Sequence, residues 1–295
     1  MKSGFVSLVG RPNVGKSTLL NSIIGKKVAI TSNKPQTTRN IIQGIYNDDD
    51  TQIVFVDTPG IHKPKYKLGN YLNKQAYYSI NDVDIILFLI DASEVLGKGD
   101  LYILEKLKEA NKKVILVLNK IDKIKKEDIL IKISEYKDLY DFDEIVPLSA
   151  LKKDNVKELI EVLKKYLPDN IKYFSDEEYT NMQIEFNIAE IVREKVFNLT
   201  EEEVPHSVTC VVEQISKEKN NYSINVAIIV DRDSLKKIII GKQGSKIKEI
   251  GINARKDLEE LLGKKVYLEL FVKTIKNWRD KEKYLQEFGF SDFLK

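Results

Sequence analysis

Nearly continuous apolar runs at 5–9, 52–56, 85–90, 113–118 and 145–148 punctuate the first 170 positions. Runs of this length, bounded by polar or turn-forming residues, are the pattern of strands buried on both faces of a sheet. Between them lie stretches with helical spacing at 17–24, 68–80, 100–110, 127–140 and 154–166. A further run at 41–46 is joined to 52–56 across Asn47, Asp48, Asp49 and Asp50, a polar turn that predicts a hairpin. This alternation predicts an α/β fold, a mostly parallel sheet with helices on both faces and ligands at the C-terminal strand ends.

Pro168, Asp169 and Asn170 close the last of these helices, and 171–181 is polar and aromatic without periodicity, which reads as a linker. From there the order changes. A helix at 184–199 precedes strands at 207–215 and 222–230. Two helical segments then flank Gly241, Lys242, Gln243 and Gly244, and a strand follows at 266–272. The expected organisation is a first domain over 1–170, a linker over 171–181, and a smaller α+β domain over 182–295 with a C-terminal helical extension.

The turn after the first strand carries Gly10, Arg11, Pro12, Asn13, Val14, Gly15, Lys16 and Ser17, matching G-x-x-x-x-G-K-[ST]. Such a loop curls backbone N–H groups around a β-phosphate. Lys16 reaches the β and γ oxygens and Ser17 ligates Mg²⁺, with Thr18 next in a helix whose positive N-terminus faces the phosphates. Asp57, Thr58, Pro59 and Gly60 leave the 52–56 run, followed by Ile61. An aspartate there can hold the Mg²⁺ shell, and the Gly60 N–H can report the γ-phosphate.

Asn119, Lys120 and Asp122 follow the 113–118 run, and their chemistry selects one base. A carboxylate at Asp122 accepts from both N1–H and the exocyclic amine of guanine; adenine offers neither donor. Leaving buried polar groups unpaired rejects the wrong base on the order of 10⁴-fold. The Lys120 stem can lie over the ring, and the Asn119 amide can tie the loop to the P-loop. Ser149 and Ala150, after 145–148, can give a backbone N–H to guanine O6. Between the P-loop and Asp57, Thr38 is the favoured hydroxyl to complete the Mg²⁺ shell when GTP is bound, with Thr37 the alternative.

Composition limits the remaining classes. Of 295 residues, 42% are hydrophobic, enough for two cores, and no segment approaches the ~18 apolar residues of a spanning helix. The chain runs straight into its first strand without a signal peptide, and Cys210 is the sole cysteine beside two histidines. A cytoplasmic protein without disulfide or zinc is expected. Net charge is only +3, yet 232–283 holds fifteen Lys/Arg against eight Asp/Glu, which leaves the rest of the chain acidic. Basic character gathers around the Gly241–Gly244 turn, as the footprint of nucleic acid would. Trp278, beside Arg279, is suited either to stack on a base or to anchor a core.

The P-loop at 10–17, Pro35-Gln36-Thr37-Thr38-Arg39, the D-T-P-G-I-H-K-P stretch at 57–64, Asn119-Lys120-Ile121-Asp122 and E-V-P-H-S-V at 203–208 together resemble the Era family of GTPases, over essentially the whole chain. The α-β-β-α-α-β order with G-x-x-G between its helices resembles a type II KH domain, a module that clamps about four nucleotides of single strand. That resemblance implies RNA contacts from Ile240, Gly241, Lys242, Gln243, Gly244, Lys246 and Ile247, with Ile239 adding to an apolar floor. It implies binding near the 3′ end of small-subunit ribosomal RNA during assembly of that subunit; a monomer is the default expectation. The alternative is a signalling or peripherally membrane-associated GTPase at the inner membrane face whose second domain binds protein or lipid. Lys16, Asn13, Thr38 and Gly60 are the expected catalytic set. Ile61 stands where many GTPases carry a water-orienting glutamine, which predicts slow intrinsic hydrolysis, on the order of 10⁻⁴–10⁻³ s⁻¹. By resemblance, Asn13 can hold an activating K⁺.

Overall fold

The structure, a computed structural model, describes residues 1–290 apart from 33, 35, 36, 62, 63 and 65. It divides into two compact units, Met1–Lys63 with Leu72–Asn181, and Pro64–Tyr71 with Met182–Lys295.

The first unit alternates β1 (Lys2–Val9), α1 (Lys16–Ile24), β2 (Ile42–Asn47), β3 (Thr51–Asp57), α2 (Lys67–Asn81, its first turn assigned to the other unit), β4 (Ile85–Asp91), α3 (Lys98–Ala110), β5 (Lys113–Asn119), α4 (Lys126–Lys137), β6 (Glu144–Pro147) and α5 (Val156–Tyr166). The sheet order is β2-β3-β1-β4-β5-β6. Only β2 runs antiparallel, paired with β3 through the short turn in which the Asp48 N–H donates to the Thr51 carbonyl. The uninterrupted apolar runs have their cause in this topology. Helices cover both faces, so every residue of β4 and six of the seven in β5 are buried.

The expected linker makes specific contacts within this unit. The Ile45 N–H donates to the Tyr179 carbonyl at 3.0 Å, and Thr180 Oγ1 donates to the Gln43 carbonyl at 2.8 Å. The wholly buried Gln52 side chain accepts from the Tyr173 and Phe174 N–H groups at 2.7 and 3.0 Å and donates to the Phe174 carbonyl. Residues 173–180 are aperiodic because their hydrogen bonds go to the Gln52 side chain, to one another between Ser175 and Glu178, and to the outer strand β2 at Tyr179 and Thr180.

The second unit holds α6 (Ile184–Leu199), a one-turn α7 (Val204–Ser207), β7 (Val208–Lys217), β8 (Asn221–Val230), α8 (Asp233–Ile240), α9 (Ser245–Leu262), β9 (Lys265–Thr274) and α10 (Glu282–Glu287). Its sheet has the order β7-β8-β9, with β8 antiparallel to β7 and parallel to β9. The core beneath the helices is built from Val192, Phe197, Ile228, Ile239, Ile250 and Leu258 among others. Burying each of these side chains contributes about 1.5–3 kcal/mol relative to exposure. Trp278 is fully buried, donates Nε1–H to the Ser207 carbonyl at 3.0 Å and packs against Phe288 and Phe290. It anchors the core; base stacking is excluded for it.

Candidate nucleotide site and nucleic-acid groove

Register brings the ends of four strands level. Leu8 pairs with Asp57, Val9 with Phe88, and Asp91 with Asn119, so the loops that follow β1, β3, β4 and β5 leave the same edge. They border a cleft of about 360 Å³ lined by Pro12, Asn13, Gly15, Lys16, Ser17, Thr18, Ile30, Thr31, Ser32, Thr37, Thr38, Gly60, Asp91, Ser93, Glu94, Lys120 and Lys123.

The P-loop wraps its own lysine. Lys16 Nζ donates to the carbonyls of Gly10 and Arg11, each at 3.0 Å. Burial lowers the pKa of this ammonium to about 8, against the opposing pull of Asp57. Gly15 sits at φ +100°, and a Cβ there would lie 2.2 Å from Asn119 Nδ2, so the loop's close approach to β5 requires glycine. The Arg11 side chain turns away from the cleft floor. It donates from Nε to Asp100 Oδ1 at 2.9 Å and from Nη2 to Glu94 Oε2 at 2.8 Å. Its part in phosphate binding is therefore limited to the backbone.

Three oxygen-bearing side chains converge beside Lys16. Ser17 Oγ donates to Asp57 Oδ2 at 2.6 Å, Thr38 Oγ1 lies 2.9 Å from Ser17 Oγ, and Thr38 Oγ1 donates to Asp57 Oδ2 at 3.4 Å. Asp57 is wholly buried, its Oδ1 has no hydrogen-bond partner among the described residues, and burial pushes its carboxyl up. A buried carboxylate oxygen left unpaired beside two hydroxyls is the donor set that a hard divalent cation such as Mg²⁺ satisfies. Thr37 lines the same cleft, and its hydroxyl donates to the Lys34 carbonyl at 2.7 Å. Pro35 and Gln36 of the same stretch lie outside the described residues.

On the base side, Asn119 Nδ2 donates to the Val14 carbonyl at 2.8 Å while its Oδ1 accepts from the N–H groups of Lys120 and Ala150. Ser149 Oγ donates to Asp122 Oδ1 at 2.5 Å. The Ser149 N–H goes to the Asp154 carbonyl. In the absence of a nucleotide the backbone donors of Ser149 and Ala150 thus brace the loop. Gly60 lies against the P-loop, where a Cβ would meet Pro12 N at 2.8 Å. Thr58 donates Oγ1–H to the Leu8 carbonyl, and Ile61 packs into the apolar core with Val9, Ala76 and Ile80. The Ile61 side chain thus belongs to the core.

In the second unit, Gly241 (φ +72°) and Gly244 (φ +75°) bracket the turn between α8 and α9, leaving Lys242 and Gln243 exposed. Ile240 and Ile247 are partly buried beside this turn. Ile239, expected in the floor, is wholly buried in the core and faces no ligand. A groove of about 340 Å³ lies between α9 and β9, lined by Ile247, Lys248, Gly251, Ile252 and Arg255 of α9 and by Val266, Tyr267, Leu268 and Leu270 of β9. Most of these residues escape motif reading, because a groove wall is set by which strand packs beside α9.

A family profile described as "50S ribosome-binding GTPase" matches residues 5–120, and one described as "KH domain" matches 203–279. A variant of Aquifex aeolicus Era bound to GDP·AlF4⁻ is 45% identical, with 99% of this chain and all of that chain covered at a TM-score of 0.96. The chain belongs to the Era family of GTPases. A second Era structure, in complex with MgGDPNP and nucleotides 1506-1542 of 16S ribosomal RNA, matches with the same identity and TM-score, over 99% of each chain.

Within this Era-family chain, two site residues lay outside the motifs. Asp91 accepts from Lys120 Nζ at 2.6 Å and from Ser93. Burial pushes its carboxyl up, but hydrogen bonds from Lys120 and Ser93 outweigh burial and hold it below the usual carboxylate range. Asp100 is wholly buried under Arg11. The available signal was their place at the end of β4 and in the first turn of α3, the strand ends where ligands gather.

Proposed function

We propose that this Era-family chain is a cytoplasmic, monomeric GTP-driven switch. Its second domain binds single-stranded RNA near the 3′ end of small-subunit ribosomal RNA, and it acts in assembly of that subunit. The observation that carries the reading is the presence, in one chain, of a guanine-selecting loop, a G-x-x-G turn and an apolar groove between α9 and β9. Whole-length likeness to an Era complex holding 16S ribosomal RNA supports the choice of nucleic acid.

The reaction follows from the residues. Lys16 carries a charge that burial makes costly until phosphate oxygens surround it. Ser17, Thr38 and Asp57 would hold Mg²⁺, which when bound would supply positive charge to neutralise phosphate oxygens. Thr38 precedes β2 and Gly60 follows β3, so a γ-phosphate would add a further tie to each loop, at Thr38 through Mg²⁺ and at the Gly60 N–H. Asp122, oriented by Ser149, reads guanine N1–H and the exocyclic amine, and the Lys120 stem supports the ring. With Ile61 in the core, that position orients no water, and turnover stays on the unassisted scale of about 10⁻⁴–10⁻³ s⁻¹. Asn13, at the mouth of the cleft, is the residue that would hold K⁺ in place of an arginine finger.

The test is binding of a single strand from the 3′ end of small-subunit ribosomal RNA, at stated salt, with a GTP analogue and with GDP. Wild type should bind more tightly in the GTP state, and Gly244→Asp should lose most of that affinity. Binding insensitive to both nucleotide and mutation, or flotation with anionic vesicles in place of RNA binding, would overturn the reading.

A further inference from the structure

The Lys120 side chain is fixed at both ends. Its backbone occupies the left-handed region (φ +66°), and its Nζ donates to the Asn13 carbonyl at 2.7 Å and to Asp91 Oδ2 at 2.6 Å. Asp91 is itself immobilised: Oδ1 accepts from the Ser93 N–H at 3.0 Å and from Ser93 Oγ at 2.6 Å. The next N–H, that of Ala92, donates to the Asn119 carbonyl at 2.9 Å. One continuous path of hydrogen bonds therefore crosses from the end of β4 through Lys120 to the P-loop, along the wall of the nucleotide cleft that Asp91, Ser93 and Lys120 line.

We infer that Asp91 is a positioning residue for the guanine nucleotide: it pins the Lys120 ammonium so that the aliphatic stem stays stretched as a rail for the base. The inference rests on the reading of Asn119, Lys120 and Asp122 as the base-recognition loop. The argument is entropic and electrostatic. A lysine has three rotatable donors on a flexible four-carbon stem. A single carbonyl leaves much of that freedom intact, whereas a buried carboxylate adds a charge-assisted bond of fixed direction. Asp91 is 5% exposed. Removing its charge therefore releases the rail without creating a new surface.

The experiment uses the full chain and fluorescent GDP. Asp91→Asn should speed GDP release about 10-fold to 100-fold, the range for losing a hydrogen bond between charged groups. It should raise KM for GTP while leaving kcat at saturation within about twofold. In a Lys120→Met background the same substitution should cost almost nothing, because the group it acts through is gone. Wild-type release rates in Asp91→Asn, or an undiminished penalty in the Lys120→Met background, would overturn the inference. Asp122→Asn separates it from the underlying reading. If that variant loses GDP and gains xanthosine diphosphate while Asp91→Asn is silent, only the positioning role fails. If it keeps GDP, the base site is misassigned and the role of Asp91 falls with it.

Discussion

Thr38 Oγ1 stands 2.9 Å from Ser17 Oγ, whereas the hydroxyl of its neighbour Thr37 is spent on the Lys34 carbonyl. Adjacent threonines in one loop thus have different fates, and the difference is measurable. Thr38→Ala should weaken Mg²⁺-dependent binding of a GTP analogue and slow hydrolysis at least tenfold, leaving GDP affinity nearly unchanged. Thr37→Ala should alter both by less than about threefold. Equal losses in the two variants would put the metal ligand elsewhere in the loop.

Lys16 makes nucleotide binding pH-dependent. Its ammonium titrates near a pKa of about 8 in the nucleotide-free protein, and phosphate oxygens favour the charged form. Above pH 8, GDP must bind together with a proton. Calorimetry at pH 8.5 in two buffers of different ionisation enthalpy should therefore reveal uptake of more than half a proton, and almost none at pH 7. The free protein has the opposite dependence. Its unfolded chain binds the proton up to the ordinary 10.5, so this group adds stability as pH rises from about 8 to 10.5.

The two glycines of the turn between α8 and α9 are not equivalent. A Cβ at Gly241 would meet Lys246 Cβ at 2.8 Å and its backbone N at 3.0 Å, while at Gly244 the nearest atom is Ile247 Cγ2 at 4.0 Å. Gly241→Ala should destabilise the fold by about 1–3 kcal/mol, through overpacking and left-handed strain. Gly244→Asp pays only the backbone strain and should stay folded while repelling phosphates. Urea unfolding beside RNA binding distinguishes the two losses.

Trp278 is the only tryptophan, and it is wholly buried. Its emission should be blue-shifted, move little on RNA binding, and follow unfolding of the second unit. Trp278→Ala should cost about 3–5 kcal/mol. A large quench on RNA addition would contradict its place in the core.

Strands and motifs were readable because helices on both faces demand continuous apolar runs, and phosphate loops demand glycine. The Thr37–Thr38 choice was not readable, since both are hydroxyls one position apart and only the path of the loop separates them. Ile239 and Ile240 were ambiguous for the same reason: a helical turn of consecutive isoleucines does not announce which one faces inward. Asp91 escaped because a carboxylate at a strand end resembles many loop aspartates until the lysine opposite is located. Ser149 and Ala150 were found by position, but their backbone donors went to partners that spacing cannot reveal.

The hydrogen bonds of 173–180 to β2 and β3 also bear on where this protein can be cut. A GTPase domain excised at 170 would lose the Tyr179 and Thr180 partners of β2 and leave Gln52 without its contacts at 173 and 174. Bare strand edges recruit one another, so that fragment should aggregate, whereas one ending at 181 keeps its edge covered and should remain monodisperse. For anyone dissecting the molecule, the segment that reads as a tether travels with the sheet it is bonded to.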